Sequence, residues 1–132
     1  MDWKACFIGK KILVADDDAI NREMMGDIFA AMQCQVEYAA DGVEAIAQYK
    51  KGKFDLILMD IRMPNKSGIE ATREIRALEN GSRHTPIMAL TASLLEEDRQ
   101  ECLKSGVDDF VLKPIHLEDL RQRMAKAMLE AK

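Results

Sequence analysis

The stretch Asp55-Leu56-Ile57-Leu58-Met59-Asp60-Ile61-Arg62-Met63-Pro64 reads as a buried strand that stops on a carboxylate. Leu56 to Met59 is an unbroken apolar run, the pattern of a strand covered on both faces. Asp60 ends it. Met63-Pro64 then imposes an extended turn, because proline disfavours helical backbone at the residue before it. A carboxylate at the tip of a buried strand costs free energy unless it finds partners. Those partners lie elsewhere in the chain.

Working outward, other short runs take the same form. Lys11-Ile12-Leu13-Val14-Ala15 stops at Asp16-Asp17-Asp18. Gln35 to Ala39 alternates polar and apolar residues and predicts a less buried second strand. Asp55 to Met59 is the third. Pro86 to Leu90 stops at Thr91, and Phe110 to Leu112 stops at Lys113-Pro114. Helical spacing fills the intervals. Ile20, Met24, Met25, Ile28, Phe29 and Met32 share one face of a helix capped by Asp18 or Asp17. Val43, Ile46 and Ala47 line a helix that opens at Asp41-Gly42 and closes at Gly52. Ile69, Thr72, Ile75 and Leu78 mark a third inner face, stopped by Asn80-Gly81-Ser82. A charged helix runs from Ser93 to Ser105 and ends at Gly106. The last helix turns Leu117, Leu120, Met124, Ala127 or Met128, and Ala131 inward, with Glu118 and Asp119 in the first turn, where the helix dipole favours acids. Five strands alternating with five helices predict an α/β fold, a parallel sheet with helices on both faces and right-handed crossovers.

Composition narrows the function classes. The 132 residues fit one domain, and 48% hydrophobic with 32% charged residues is the balance of an ordinary globule. With 19 basic against 23 acidic residues, the net charge of −4 argues against a broad nucleic-acid footprint. Cys6, Cys34 and Cys102 are widely spaced with no CxxC, so neither a zinc site nor a disulfide framework is expected, and reduced thiols suit a cytoplasmic protein. Cys34 and Cys102 read as buried small apolar residues, and the nine methionines as core packing. No apolar run approaches the roughly 18 residues of a membrane span. Residues 1–10 are too short and mixed for a signal peptide and read as a lead-in to a domain at 11–132. The last helix is expected to run to the end of this stretch, with no output domain expected within it. His84 and His116 have no evident partners and are expected to be exposed. Glu96-Glu97-Asp98-Arg99-Gln100-Glu101 is expected to be a solvated helix face.

In an open parallel sheet, functional groups gather at the carboxyl ends of the strands. The residues that follow these strands are Asp16 and Asp17, Asp60, Thr91, and Lys113. Taken together and in this order, Asp16-Asp17 after Ile-Leu-Val-Ala, Asp60 with Met63-Pro64, Thr91-Ala92 and Lys113-Pro114 resemble the response-regulator receiver domain of two-component signalling, over roughly residues 10–130. The resemblance implies a flavodoxin-like three-layer sandwich with strand order 2-1-3-4-5. The run from Asp60 to Arg76, and Asn21-Arg22 after the acidic cluster, look more like receivers attached to hybrid sensor kinases than like transcription-factor receivers. A stand-alone receiver fits as well.

That strand order puts three acids, one hydroxyl and one amine in a single cleft. Carboxylates about 4 Å apart repel by about 4 kcal/mol per pair at an effective dielectric of about 20. A divalent cation relieves this, and an all-oxygen set completed by water suits Mg²⁺, with Mn²⁺ as a substitute. An acid beside the metal can act as a nucleophile, and phosphoryl transfer to it needs positioning and charge neutralisation above all.

The resemblance assigns the parts. Asp60 looks like the phospho-acceptor. Asp17 looks like the direct metal ligand, Asp16 assists through water, and the Arg62 main-chain carbonyl is the third protein ligand. Thr91 and Lys113 would hold the phosphoryl group. Phe110 stands where the family often has a tyrosine switch residue; its ring can rotate inward but lacks the hydroxyl. Ala92 leaves the site open to a donor. Arg62 and Ser93 lie where the family tunes phosphoryl lifetime. The expected partners are a sensor histidine kinase or a histidine phosphotransfer protein, and a downstream protein met by the surface of helix four, strand five and helix five. The chain would be a monomer or a phosphorylation-dependent dimer, catalysing its own phosphorylation and slow dephosphorylation.

Other function classes fit less well. Haloacid-dehalogenase-like phosphatases place a second acid two residues after the nucleophile, where this chain has Arg62. A flavin or nucleotide carrier needs a phosphate cradle after strand one, where this chain has three acids. There is no P-loop or GxGxxG. A phosphorylation-independent scaffold would not need the complete acceptor set.

Overall fold

The structure is a computed structural model that describes residues 7–92 and 95–130, the last two through their backbone only. Five parallel strands, β1 (Lys11–Ala15), β2 (Gln35–Ala39), β3 (Leu56–Asp60), β4 (Ile87–Thr91) and β5 (Asp109–Leu112), form one sheet in the order 2-1-3-4-5. Five helices alternate with them: α1 (Ala19–Ala31), α2 (Gly42–Lys51), α3 (Gly68–Glu79), α4 (Glu96–Ser105) and α5 (Leu117–Glu130). Fold class and strand order are those expected. Among the described residues, no helix is long and apolar enough to cross a membrane.

Strand alternation builds the three layers. Leu13, Ala15, Ile57, Met59, Ile87 and Ala89 face α2, α3 and α4, where Ile46, Tyr49, Ala71, Ile75 and Cys102 meet them. Ile12, Val14, Leu56, Leu58, Met88 and Leu90 face α1 and α5, against Met25, Phe29, Leu120 and Met124. Phe7 also packs into this second core. β1, β3 and β4 are interior strands, which is why their runs are continuously apolar. Parallel registry sets Ala15 beside Met59, Asp60 beside Leu90, and Thr91 beside Leu112.

Periodicity alone put some residues on the wrong face. Ile20 is 75% exposed, so the inner face of α1 is Met25, Phe29 and Met32. Val43 and Ala47 are exposed, and α2 packs through Ala45, Ile46 and Tyr49 instead. Leu78 is exposed while Ala71 and Glu79 are buried, because α3 is seated about one position round from the simple three-residue repeat. In α5, Leu117 is exposed and Ala125 buried; Ala131 lies outside the described residues. α4 begins at Glu96, with Leu95 at its cap, three residues later than expected. Gly52 closes α2 in extended backbone rather than the left-handed form, which Asn80 and Gly106 adopt instead. Cys102 is buried, Cys34 only partly.

Candidate phosphoryl-acceptor site

Asp16 is the first residue beyond β1, and its own N–H continues the ladder to the Ala39 carbonyl at 3.0 Å. It is buried, and its carboxylate is well occupied. Oδ1 accepts from the Asp18 N–H at 2.9 Å; Oδ2 accepts from Asn21 Nδ2 at 3.4 Å and faces Lys113 Nζ at 3.4 Å. The Arg22 guanidinium donates to the Asp16 carbonyl at 2.6 Å. Asp18 caps α1 through the Ile20 N–H at 2.8 Å, as expected. Asp17 is left exposed, pointing its carboxylate towards the same cleft: ligand atoms of Asp16, Asp17 and Asp60 all lie within 4.8 Å of one another.

Asp60 is the last residue of β3 and buried. Its Oδ1 accepts from the Arg62 N–H at 3.2 Å and its Oδ2 from Lys113 Nζ at 3.0 Å. Burial pushes the Asp60 carboxyl above its ordinary range; Lys113 opposes this and Asp16 adds to it. For Lys113, burial works against the ammonium, but the hydrogen bond and charge of Asp60, with Asp16 behind it, hold its pKa above the ordinary lysine value. Lys113 reaches both acids because its N–H bonds to the Thr91 carbonyl at 2.8 Å, which extends the β4–β5 pairing past Leu112.

Asp60, Arg62, Thr91, Ala92 and Lys113 line a cleft of about 380 Å³, and Asp17 lies on an adjoining groove with Arg62 and Thr91. Thus Asp16, Asp17, Asp60, Arg62, Thr91 and Lys113 come together. Phe110 stands apart. It is half-buried on the α4 side of the sheet with the Arg99 guanidinium 5.3 Å over its ring. Ser93 lies outside the described residues.

The loop after β3 is held by contacts that spacing did not reveal. Gly68 N–H bonds back to the Ile61 carbonyl at 2.9 Å, and a Cβ at Gly68 would overlap the Asp60 carbonyl oxygen. Asn65, in left-handed backbone (φ 65°), donates from Nδ2 to Asp41 Oδ2 at 2.6 Å. Gly42 N–H bonds the Lys66 carbonyl at 3.0 Å. Asn is one of the few residues that tolerates this backbone, which is the signal at Asn65.

A second polar cluster sits at the opposite end of the sheet. The Arg76 guanidinium bonds Glu79, Asp108 and the carbonyls of Thr85 and Gly106 at 2.8–3.0 Å. His84 is exposed, as expected, but it has a partner after all: Nε2 lies 2.6 Å from Asp108 Oδ1. No stretch of sequence links these groups, since they meet only through the tertiary fold.

Residues 12–125 match the response regulator receiver domain family. The chain belongs to that family. This receiver is 39% identical over 113 residues to hybrid signal transduction histidine kinase G of Dictyostelium discoideum, covering 84% of the chain and 3% of that protein. It is 39% identical over 114 residues to sensor histidine kinase RcsC of Salmonella typhi, covering 86% of the chain and 12% of that protein. The receiver therefore spans only a small part of either relative's length. Among solved structures, it is similar to the receiver domain of a sensor histidine kinase of Pseudomonas aeruginosa PAO1 with magnesium coordinated in the active site cleft (37% identity, TM-score 0.84, covering 92% of this chain and 99% of that one). It is also similar to the Saccharomyces cerevisiae Ssk1 receiver domain in complex with the histidine phosphotransfer protein Ypd1 (31% identity, TM-score 0.85, covering 96% and 94%).

Proposed function

We propose that this receiver takes a phosphoryl group onto Asp60, with Mg²⁺, from the phosphohistidine of a sensor histidine kinase or a histidine phosphotransfer protein. The observation that carries the reading is the convergence of three carboxylates within 4.8 Å with one ammonium 3.0 Å from Asp60. The all-oxygen donor set fits a hard dication: Asp16, Asp17 and Asp60 with the Arg62 carbonyl would hold Mg²⁺, or Mn²⁺ in its place. When bound, the ion supplies neutralisation of the charge that develops on the phosphoryl oxygens.

The residues of this chain do the rest. An Asp60 carboxylate oxygen attacks phosphorus while the bond to the donor imidazole nitrogen breaks, and that nitrogen keeps the electron pair. Lys113, already on Asp60, moves its N–H donors onto a phosphoryl oxygen, and the Thr91 hydroxyl holds another. Asp16 keeps Lys113 over the cleft. Exposed Ala92 leaves room for the donor. Water later hydrolyses the acyl phosphate slowly, at a rate that Arg62 and Ser93 tune. Drawing Lys113 and Thr91 towards the phosphate biases Phe110 and the α4–β5–α5 surface between two arrangements, which a downstream protein reads.

The unit that does this is residues 11–132 with 1–10 as a lead-in, working in the cytoplasm as a hybrid-kinase receiver or a stand-alone one. Incubation with a phosphorylated histidine phosphotransfer protein and Mg²⁺ tests it. Loss of label from the donor with gain on the receiver, blocked by EDTA, is the expected result. Retention of all label on every donor tried contradicts it.

A further inference from the structure

We infer that Asn65 and Asp41 are positioning residues for the metal: their hydrogen bond fixes the loop that follows Asp60 and carries Arg62, and so sets Mg²⁺ affinity. The inference rests on the proposed Mg²⁺ site and names what holds one side of it. Beside the Ile61 N–H bond to the Leu90 carbonyl at 3.2 Å and the Lys66 N–H bond to the Pro64 carbonyl at 2.6 Å, two ties shape the β3–α3 loop. One closes it on itself, from Gly68 N–H to the Ile61 carbonyl at 2.9 Å. The other fastens its tip to the start of α2, through Asn65 Nδ2 to Asp41 Oδ2 at 2.6 Å and Gly42 N–H to the Lys66 carbonyl at 3.0 Å. Contact at the tip is close, since a Cβ on Gly42 would overlap the Lys66 carbonyl.

The division of labour within Asp41 makes this a dedicated contact. Oδ1 caps α2 by accepting from the Glu44 N–H at 2.8 Å, and Oδ2 is given to Asn65. Asp41 is 8% exposed and anchored by α2, so it is the fixed end, while Asn65 on the exposed loop is the held end. Arg62 is three residues from Asn65, on the same turn. A backbone carbonyl ligand has no rotamer of its own; only the placement of its loop can set it. Without the clasp, the loop samples positions in which the Arg62 carbonyl and Asp60 do not converge, and binding must order them first.

The test uses Asn65→Gly, which keeps the left-handed backbone and removes only the side chain. Mg²⁺ binding is measured by titration calorimetry on the full chain, with thermal unfolding in EDTA alongside. The account predicts affinity about tenfold weaker, the lower end for loss of a group that supports a metal ligand. It also predicts that exchanging the pair, Asp41→Asn with Asn65→Asp, restores affinity, because asparagine caps α2 equally well and the bond re-forms with donor and acceptor reversed. Unchanged affinity in Asn65→Gly, or a fall that the exchanged pair does not restore, overturns the inference and leaves the phosphoryl-acceptor reading standing. A wild-type chain that binds no Mg²⁺ overturns both.

Discussion

Lys113 Nζ stands 3.0 Å from Asp60 Oδ2 and 3.4 Å from Asp16 Oδ2, so one ammonium spans the ends of two adjacent strands. Asp60 is buried at the end of β3 and Asp16 just past β1, and among the described residues Lys113 is the cation paired with these two carboxylates, which also face Asp17. Replacing Lys113 with Met should therefore slow phosphorylation of Asp60 by a small phosphodonor about 100-fold, the loss expected when one donor to a developing oxyanion is removed. Rates measured at saturating Mg²⁺ check this. A rate within a few-fold of wild type would show that Lys113 does not hold the phosphoryl group.

The two ends of the sheet should respond to acid in opposite senses. Asp60's carboxyl is raised by burial, so its ionised form costs stability in the metal-free fold; that cost disappears as pH falls through the raised value towards the ordinary range of about 4. For Glu79, burial acts to raise the pKa, but the Thr85 N–H and Arg76 outweigh it and the value is lowered. Its contribution is present above the ordinary value of about 4.3 and lost as pH falls through the lowered one. In EDTA, unfolding midpoints should thus rise slightly as pH falls through the raised Asp60 value towards about 4, and fall as it drops further through the lowered Glu79 value. Asp60→Asn should remove the rise and leave the acid limb.

Arg76 ties α3 to the loops before β4 and β5, and its partner Glu79 is only 3% exposed. Truncation leaves that carboxylate buried with the Tyr49 hydroxyl at 3.1 Å and the Thr85 N–H at 2.8 Å, and with no direct ion pair among the described residues; Arg83 reaches it only through the Tyr49 hydroxyl. Arg76→Met should cost about 3 kcal/mol of stability, as removal of one partner of a buried pair does. Urea unfolding checks the figure, and Glu79→Gln in the same background should recover part of it.

Gly68 begins α3 where a side chain would meet the Asp60 carbonyl. Gly68→Ala gains up to about 1 kcal/mol of helix propensity. Relieving the overlap should cost more, about 1–3 kcal/mol, because the obstacle is backbone. The net effect should be a lower unfolding midpoint and a slower phosphorylation rate, since the displaced atom belongs to Asp60 itself.

How far the sequence carried each conclusion follows from what kind of contact was involved. The strands were legible because β1, β3 and β4 are interior and their apolar runs stop abruptly on polar residues, at Asp16, Asp60 and Thr91. The site was legible for the same reason, since strand ends in a parallel sheet share an edge. Helix faces were less so. Ile20 and Val43 sit at sound helical spacing yet face solvent, because spacing fixes which residues share a face but not which face the sheet takes. The partners of Asn65, Arg22 and Arg76 were not legible. Each donates to a carbonyl or carboxylate brought near by the fold, as Arg76 does to Gly106, thirty residues away in sequence.

The most direct test of the account is intact-mass measurement of the chain after incubation with a small phosphodonor and Mg²⁺, beside Asp60→Asn. The account predicts a gain of one phosphoryl group in the wild type, absent in EDTA and absent in the variant. The same gain in Asp60→Asn, or none in the wild type with Mg²⁺ bound, would contradict it.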